Sequence, residues 1–176
     1  MSKYFNNLVP ILLEQKKNDE HILIVESSRL LFVLNFLKKH FGFRFSLLSY
    51  IAGVDLISFS YRFCVVYDLL SVKYNSRLRI KVFLTEITPV FSCVSVFINA
   101  NWWEREVWDM FGIYFEEHPD LRRILTDYGF EGYPLRKDFP LSGYLELSYN
   151  ENKKQIVVEP LELSQDFRFF SFEIPW

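Results

Sequence analysis

Asn101 to Tyr144 reads NWWEREVWDMFGIYFEEHPDLRRILTDYGFEGYPLRKDFPLSGY, and it divides at Gly112 into two regimes. The first is an amphipathic helix. Asn101 is a good N-cap, and Glu104, three residues on, is placed to reach back to it. Gly112 supplies the stop. At helical spacing Trp103, Val107, Met110 and Phe111 share one face, with Arg105, Glu106 and Asp109 opposite. Trp108 falls in the charged sector, between Glu104 and Arg105, where a solvated helix carries Lys or Glu. A large indole there reads as a contact with something beyond the helix.

After Gly112 periodicity is lost. Pro119, Gly129, Gly132, Pro134, Pro140 and Gly143 interrupt the chain every few residues. The segment is nevertheless dense in directional groups: His118, Asp120, Arg122, Arg123, Asp127, Tyr128, Glu131, Arg136, Lys137 and Asp138. A solvated linker is poor in aromatics, and this segment is not. It reads as an ordered active-site or binding loop.

Elsewhere the chain reads as an α+β domain. Phe5–Lys17 suggests a weak first helix interrupted by Pro10. His21–Glu26 (HILIVE) is a buried strand. Ser27 or Ser28 caps a second helix, with Leu30, Val33, Leu34, Leu37 and Phe41 at helical spacing before Gly42. Phe43–Ile51 is a further strand, and Gly53-Val54-Asp55 a bend. Alternation over Arg62–Leu70 and Arg77–Leu84 predicts an antiparallel hairpin turning near Asn75, its basic face (Arg77, Arg79, Lys81) solvated. Val90–Ile98 leads into the central helix. The expected architecture is a two-layer sandwich of helices on one mixed, largely antiparallel sheet. It carries a long irregular loop and an extended C-terminal tail. The boundaries are a domain over residues 1–112, a binding loop continuous with it over 113–143, and a partner-binding tail over 144–176. Within the tail, Tyr144–Tyr149 and Gln155–Glu159 are compatible with a hairpin around Asn150-Glu151-Asn152. Beyond Pro160, Phe170, Phe172, Ile174 and Trp176 would line one side of an extended chain.

Composition narrows the function classes. With 176 residues, half of them apolar, the chain suits one ordinary domain with a substantial core. A formal charge of -2 gives no general attraction to nucleic acid. No apolar run reaches the ~18 residues of a membrane helix, and no signal-peptide core or Arg-rich transit segment is visible. Cys64 and Cys93 are the two cysteines, too few for an iron-sulfur cluster and not spaced for zinc. They read as small buried hydrophobes. His118-x-Asp120 lacks a second histidine, so a hydrogen bond that braces the loop is favoured over catalysis or metal binding. Glu104 and Glu106 point about 160° apart on a helix and cannot act as a pair. No Walker loop, GxSxG or GxGxxG is present.

Three stretches carry a resemblance: EREVWDMFGI from Glu104, HPDLRRILTDYGFEG from His118 and PLRKDFPLSGY from Pro134. GVD at Gly53–Asp55, VVYDLLSVKYNSRLRIKV at Val65–Val82 and EPLELSQDFR at Glu159–Arg168 extend it. Together they resemble the thirty-kilodalton subunit family of respiratory complex I, the organelle-encoded NADH dehydrogenase subunit 9. Tyr133 stands where that family more often has His, and the part before Ile51 matches only in general character.

The resemblance implies the same fold and a non-redox structural subunit of the peripheral arm of proton-pumping NADH:ubiquinone oxidoreductase. The complex as a whole would carry FMN, iron-sulfur clusters and ubiquinone, and this chain none. The implied neighbour is the forty-nine-kilodalton quinone-site subunit, and the implied location is the matrix side of the mitochondrial inner membrane. Expected partner-binding residues are Glu104, Arg105, Trp108, Asp109, His118, Asp120, Arg122, Arg123, Asp127, Arg136, Asp138, Phe170, Phe172 and Trp176, with no catalytic, cofactor or metal residue. The competing expectation is a free-standing enzyme using His118, Asp120 and Asp127.

Overall fold

A computed structural model describes residues 9–17, 20–168, 170 and 172. Five strands form the main sheet: β1 (Leu13–Lys17), β2 (Glu20–Ile24), β3 (Leu47–Asp55), β4 (Phe63–Ser71) and β5 (Ser76–Leu84), in the order β1-β2-β5-β4-β3. The β2/β5 pair is parallel and the other three are antiparallel. The parallel pair requires a crossover, which helix α1 (Leu30–Lys39), entered through a 3-10 turn at Ser27–Arg29, begins. A second helix, α2 (Ala100–Phe111), packs against β3.

The β4–β5 hairpin forms as expected, with period-two burial along β5. Leu78, Ile80, Val82 and Leu84 are buried along β5, and Asn75 adopts a left-handed conformation at the turn (φ 46°). In β4, Cys64, Val66 and Asp68 are buried as well as the core-facing Phe63, Val65, Tyr67 and Leu69, so this strand is covered on both faces. Arg79 is not simply solvated. It grips the buried Asp68 carboxylate with Nε at 2.8 Å and Nη2 at 3.1 Å, and meets Glu20 at 2.9 Å. One continuous core joins Leu30, Val33, Leu34 and Leu37 of α1, the inward residues of the sheet, and Val107 and Phe111 of α2.

Several expectations are corrected. Leu13–Lys17 is an edge strand paired with β2, not the end of a helix; Pro10 lies just before it, and the rest of the expected helix, residues 5–8, falls outside the described residues. Strand β3 begins four residues later than Phe43 and runs straight through Gly53-Val54-Asp55, which is therefore strand and not bend. Gly53 serves close packing, since a Cβ there would meet the Phe111 ring at 2.6 Å. Helix α1 stops at Lys39, and Arg44, not Gly42, takes the left-handed backbone (φ 44°). No serine side chain caps its start.

Among the described residues two small two-stranded sheets complete the fold. Strands β6 (Val90–Phe91) and β7 (Phe115–Glu116) pair in parallel across α2 in sequence. By Cα proximity residues 1–138 form one compact unit and 139–176 another. The second unit consists chiefly of the antiparallel hairpin β8 (Leu145–Asn150) and β9 (Gln155–Pro160). Asn150 fixes its turn by accepting the Asn152 and Lys153 amides at 3.0 and 3.1 Å.

Candidate functional site

The polar residues singled out in the sequence converge on α2 and on the irregular segment from Gly112 to Asp138. Helix geometry explains why. The last carbonyls of a helix lack intrahelical donors, and each needs a partner when the end is packed. Gly112, left-handed at φ 75°, bonds back to the Trp108 carbonyl at 2.9 Å. The Met110 carbonyl accepts from the Leu135 amide at 3.1 Å, and the Phe111 carbonyl from Arg136 Nε at 2.7 Å. The segment thus returns to cap the helix it leaves.

Asp109 is the next anchor. Its carboxylate has no exposure and accepts the backbone amides of Ile124, Leu125 and Thr126 at 3.1, 2.7 and 3.0 Å, with the Thr126 hydroxyl at 2.7 Å. Burial alone would raise its pKa, but the Thr126 hydroxyl and the three amides outweigh it and hold the group below the ordinary carboxylate range. Arg123 adds a longer contact at 3.7 Å, donates to the Gly132 carbonyl at 2.9 Å, and lies over the Tyr133 ring with its guanidinium 5.1 Å from the centroid. Arg136 lies over the same ring at 4.5 Å.

Glu104 does not cap its own helix. It is fully buried and accepts from Ser92 Oγ at 2.6 Å and the Cys93 amide at 2.7 Å, tying the residues just after β6 to α2. The N-cap position is Asn99, and no side chain makes the cap bond. Burial raises the Glu104 pKa, opposed by the Ser92 and Cys93 donors. The expected faces of the helix are also revised: Arg105 and Asp109 are buried rather than solvated, because the returning segment covers that side. Arg105 donates to the Arg122 carbonyl at 3.2 Å and lies over the exposed Trp102 ring.

His118 has no side-chain exposure. Its Nδ1 accepts the Asp120 amide at 3.1 Å, so the ring hydrogen sits on Nε2, which faces the Asn101 carbonyl at 3.3 Å and Glu104 Oε2 at 3.8 Å. Both ring nitrogens are thereby engaged in holding backbone. Asp120 and Arg122 form an exposed ion pair at 3.0 Å. Asp127 accepts the Tyr128 amide at 2.8 Å in an exposed turn, away from the buried cluster.

Asp55 and Arg62 were not visible as site residues in the sequence. Arg62 holds Asp55 in a two-point grip at 3.0 and 3.1 Å, meets Asp138 at 2.9 Å and bonds Glu86. Asp55 also accepts the Lys137 amide at 2.9 Å, pinning the end of the segment to the end of β3. These bonds, the Arg62 pair first, keep the Asp55 carboxyl below its usual range. The arginine bridges strand ends and loop over a sequence distance that no local motif signals.

Trp108 is half-buried, edge-on to Tyr114 and Tyr133 with centroids 6.1 and 5.9 Å apart. Trp102 is the most exposed indole of this helix, and apolar spacing along the helix does not single it out. In the second unit the hairpin alternates cleanly. Leu145, Leu147, Tyr149, Ile156 and Val158 share one face, and each is more than half exposed. Phe170 and Phe172 are exposed, with rings 6.4 Å apart, and Trp176 lies outside the described residues.

The sequence family is now decided by comparison. The family model described as respiratory-chain NADH dehydrogenase, 30 Kd subunit, matches residues 23–145, which take in strands β3 to β5, helices α1 and α2 and the whole irregular segment. The chain belongs to this family. Among similar proteins, the NADH dehydrogenase (ubiquinone) iron-sulfur protein 3 of Beta trigyna is 59% identical over 144 residues, covering 82% of this chain and 75% of that protein. Its Arabidopsis thaliana counterpart is 58% identical over 144 residues, covering 82% and 76%. The NADH-ubiquinone oxidoreductase subunit 9 of Reclinomonas americana is 53% identical over 157 residues, covering 89% and 77%. As a 30 kDa family member the chain is a subunit of NADH:ubiquinone oxidoreductase, complex I, and its partners are other subunits of that complex.

The phrase "iron-sulfur protein" in the relatives' names invites a test of the residues here. Cys64 and Cys93 are both buried, and burial pushes the Cys64 thiol up to about 11 and the Cys93 thiol higher still, the reverse of what a thiolate ligand needs. Among the described residues no group of three or more His, Cys, Asp or Glu side chains is disposed around a common point. The donor set does not fit a cluster. Nor, among the described residues, is any helix long and apolar enough to cross a membrane.

Proposed function

We propose that this chain is a non-redox core subunit of the peripheral arm, which orders protein surfaces so that the quinone-site subunit is held in place while electrons pass from NADH to ubiquinone. The observation that carries this reading is the use made of the ionisable groups. Glu104, Asp109, His118, Arg123 and Arg136, which sequence alone offers for either catalysis or binding, are each bonded to backbone of the segment or of its approach. They make a rigid surface feature from an irregular chain.

The apolar face of the β8–β9 hairpin supports the same reading, since an exposed stripe of this kind marks a contact surface. The neighbour we assign is the forty-nine-kilodalton subunit, and the segment Gly112–Asp138, Trp108 and the C-terminal unit are the surfaces it would meet. The setting is the matrix side of the mitochondrial inner membrane, with membrane contact through the complex, and the chain is of the organelle-encoded type.

Co-purification with identification of the attached subunits tests the assignment. Deleting Leu161–Trp176 is expected to leave the first unit folded, because its sheet and both helices are complete by Asp138. Assembly should fall, since Phe170, Phe172 and Trp176 would each contribute on the order of 1.5–3 kcal/mol when buried, offset in part by ordering the tail. Any complex that forms should keep its flavin and clusters. Normal assembly of the truncated chain would contradict the role given to the tail.

A further inference from the structure

From Ser27 to Val54 the chain has four cations, Arg29, Lys38, Lys39 and Arg44, and no carboxylate, in a protein whose net charge is -2. The outer face of α1 within this run is also apolar. Phe32 is 57% exposed, and it lines a shallow depression with the half-buried Phe36 and with Lys39, four and seven residues further along the helix. At the end of α1, Phe41 is 71% exposed. The Arg44 guanidinium and the Lys73 ammonium both approach its ring, at 5.6 and 4.7 Å from the centroid.

Two cations drawn to one exposed phenyl repel each other unless an anion lies near. Among the described residues, Lys39, Arg44 and Lys73 have no carboxylate partner, whereas Arg62, Arg79, Arg122 and Arg123 all do. Arg44 is moreover held in the left-handed region, a conformation that costs a non-glycine residue energy. Lys38 is not part of the patch, because it is engaged by the Val96 carbonyl and the Phe97 ring. Alternating phenyl and cationic groups of this kind match a ligand that brings carboxylates and an apolar anchor together.

We propose that the Phe32–Phe36–Lys39 face of α1, continued by Phe41, Arg44 and Lys73, receives an acidic segment of another complex I subunit, with an aliphatic or aromatic side chain seated beside Phe32 and Phe36. The inference rests on the subunit reading and adds a second, separate surface to it. The segment's carboxylates neutralise Arg44 and Lys73, and its apolar residue covers the exposed phenyl rings.

Intact complex is treated with a carbodiimide, which joins amines only to carboxylates in direct contact, and the joined peptides are sequenced. In parallel, acetylation of each lysine by a soluble acyl ester is compared between the complex and the isolated chain. Lys39 or Lys73 joined to Asp or Glu of one neighbouring segment that carries apolar residues, with acetylation of both lysines slowed several-fold in the complex, is the expected result. Three results overturn the inference: both lysines acetylated as fast in the complex as alone; protection relieved by delipidation without any peptide adduct, which indicates a lipid headgroup; or adducts only to a segment lacking an apolar anchor. Crosslinks from the rest of the chain report the subunit reading independently. If the chain fails to co-purify at all, that reading has failed, whereas co-purification with open α1 lysines refutes the α1 surface alone.

Discussion

Asp109 and Glu104 lie five positions apart on one helix, neither has any exposure, and their carboxyl groups are moved in opposite directions. The difference is the number of donors. Four hydrogen bonds stabilise the Asp109 anion, so the folded state binds fewer protons at this site than the unfolded chain, whose group titrates near 3.8. Its contribution is therefore complete above that value and is lost as pH falls through the lower folded pKa. Protection of the Ile124–Thr126 amides, taken relative to their intrinsic exchange rate at each pH, should be high at neutral pH and fall on acidification below about pH 4. Asp109→Ala strands these donors and should cost about 3 kcal/mol or more in chemical denaturation of the chain.

Glu104 has the reverse sign. Its folded pKa is raised above 4.5, so stability falls as pH rises from 4.5 through the folded value. Glu104→Gln keeps an acceptor for the Cys93 amide and removes the titration, and should cost less at pH 7 than Asp109→Ala. Gly112→Ala should also be costly. It forces φ 75° on a residue with a Cβ, about 1–2 kcal/mol in itself, and places that carbon 2.6 Å from the Tyr133 ring. A thermal melt within a degree of the parent would show that the Tyr133 and Arg136 stack is looser than described.

The elements differ in how plainly the chain announces them. β4, β5, α2 and the β8–β9 hairpin follow from short-range periodicity, and Gly112 marks the end of α2 because only local backbone geometry is at issue. β1 reads as helix in sequence because its pairing with β2 is tertiary. The start of α2 was misread for a related reason. Glu104 has a better partner in Ser92 and Cys93, twelve and eleven residues back, than in the helix terminus three residues away. Arg62 with Asp55 and Asp138 joins the end of β3, the loop before β4 and the irregular segment, and nothing in the spacing of those residues shows it.

At this scale the contact surfaces can be separated from the internal braces. Leu147→Asp with Val158→Asp charges the apolar face of the hairpin, where the two residues are cross-strand partners, and should reduce assembled complex while the first unit stays folded. Arg123→Lys loses the fork that serves Gly132, Thr126 and the Tyr133 ring together, and should lower assembly more than Lys153→Ala at the exposed hairpin turn. Equal amounts of intact complex on native gels for these two variants would argue that Arg123 matters to neither the segment nor its partner.

For the whole molecule, the sheet and its two helices form a platform, and the segment that leaves α2 is folded back on it by buried acids and arginines. Under the proposed role, the surrounding complex supplies the flavin, clusters and quinone, while this platform supplies position. The His118 side chain is the sharpest point of difference between that account and a catalytic one, because it is the single imidazole in the segment and both its nitrogens face backbone. The direct measurement is NADH-driven quinone reduction by purified complex carrying His118→Ala, normalised to the amount of fully assembled enzyme. Substantial turnover per assembled complex, with any loss appearing as less complex, is the predicted result. Abolished turnover in a complex that is whole, carries its flavin and clusters, and is structurally unchanged would contradict the account and make His118 a participant in the chemistry.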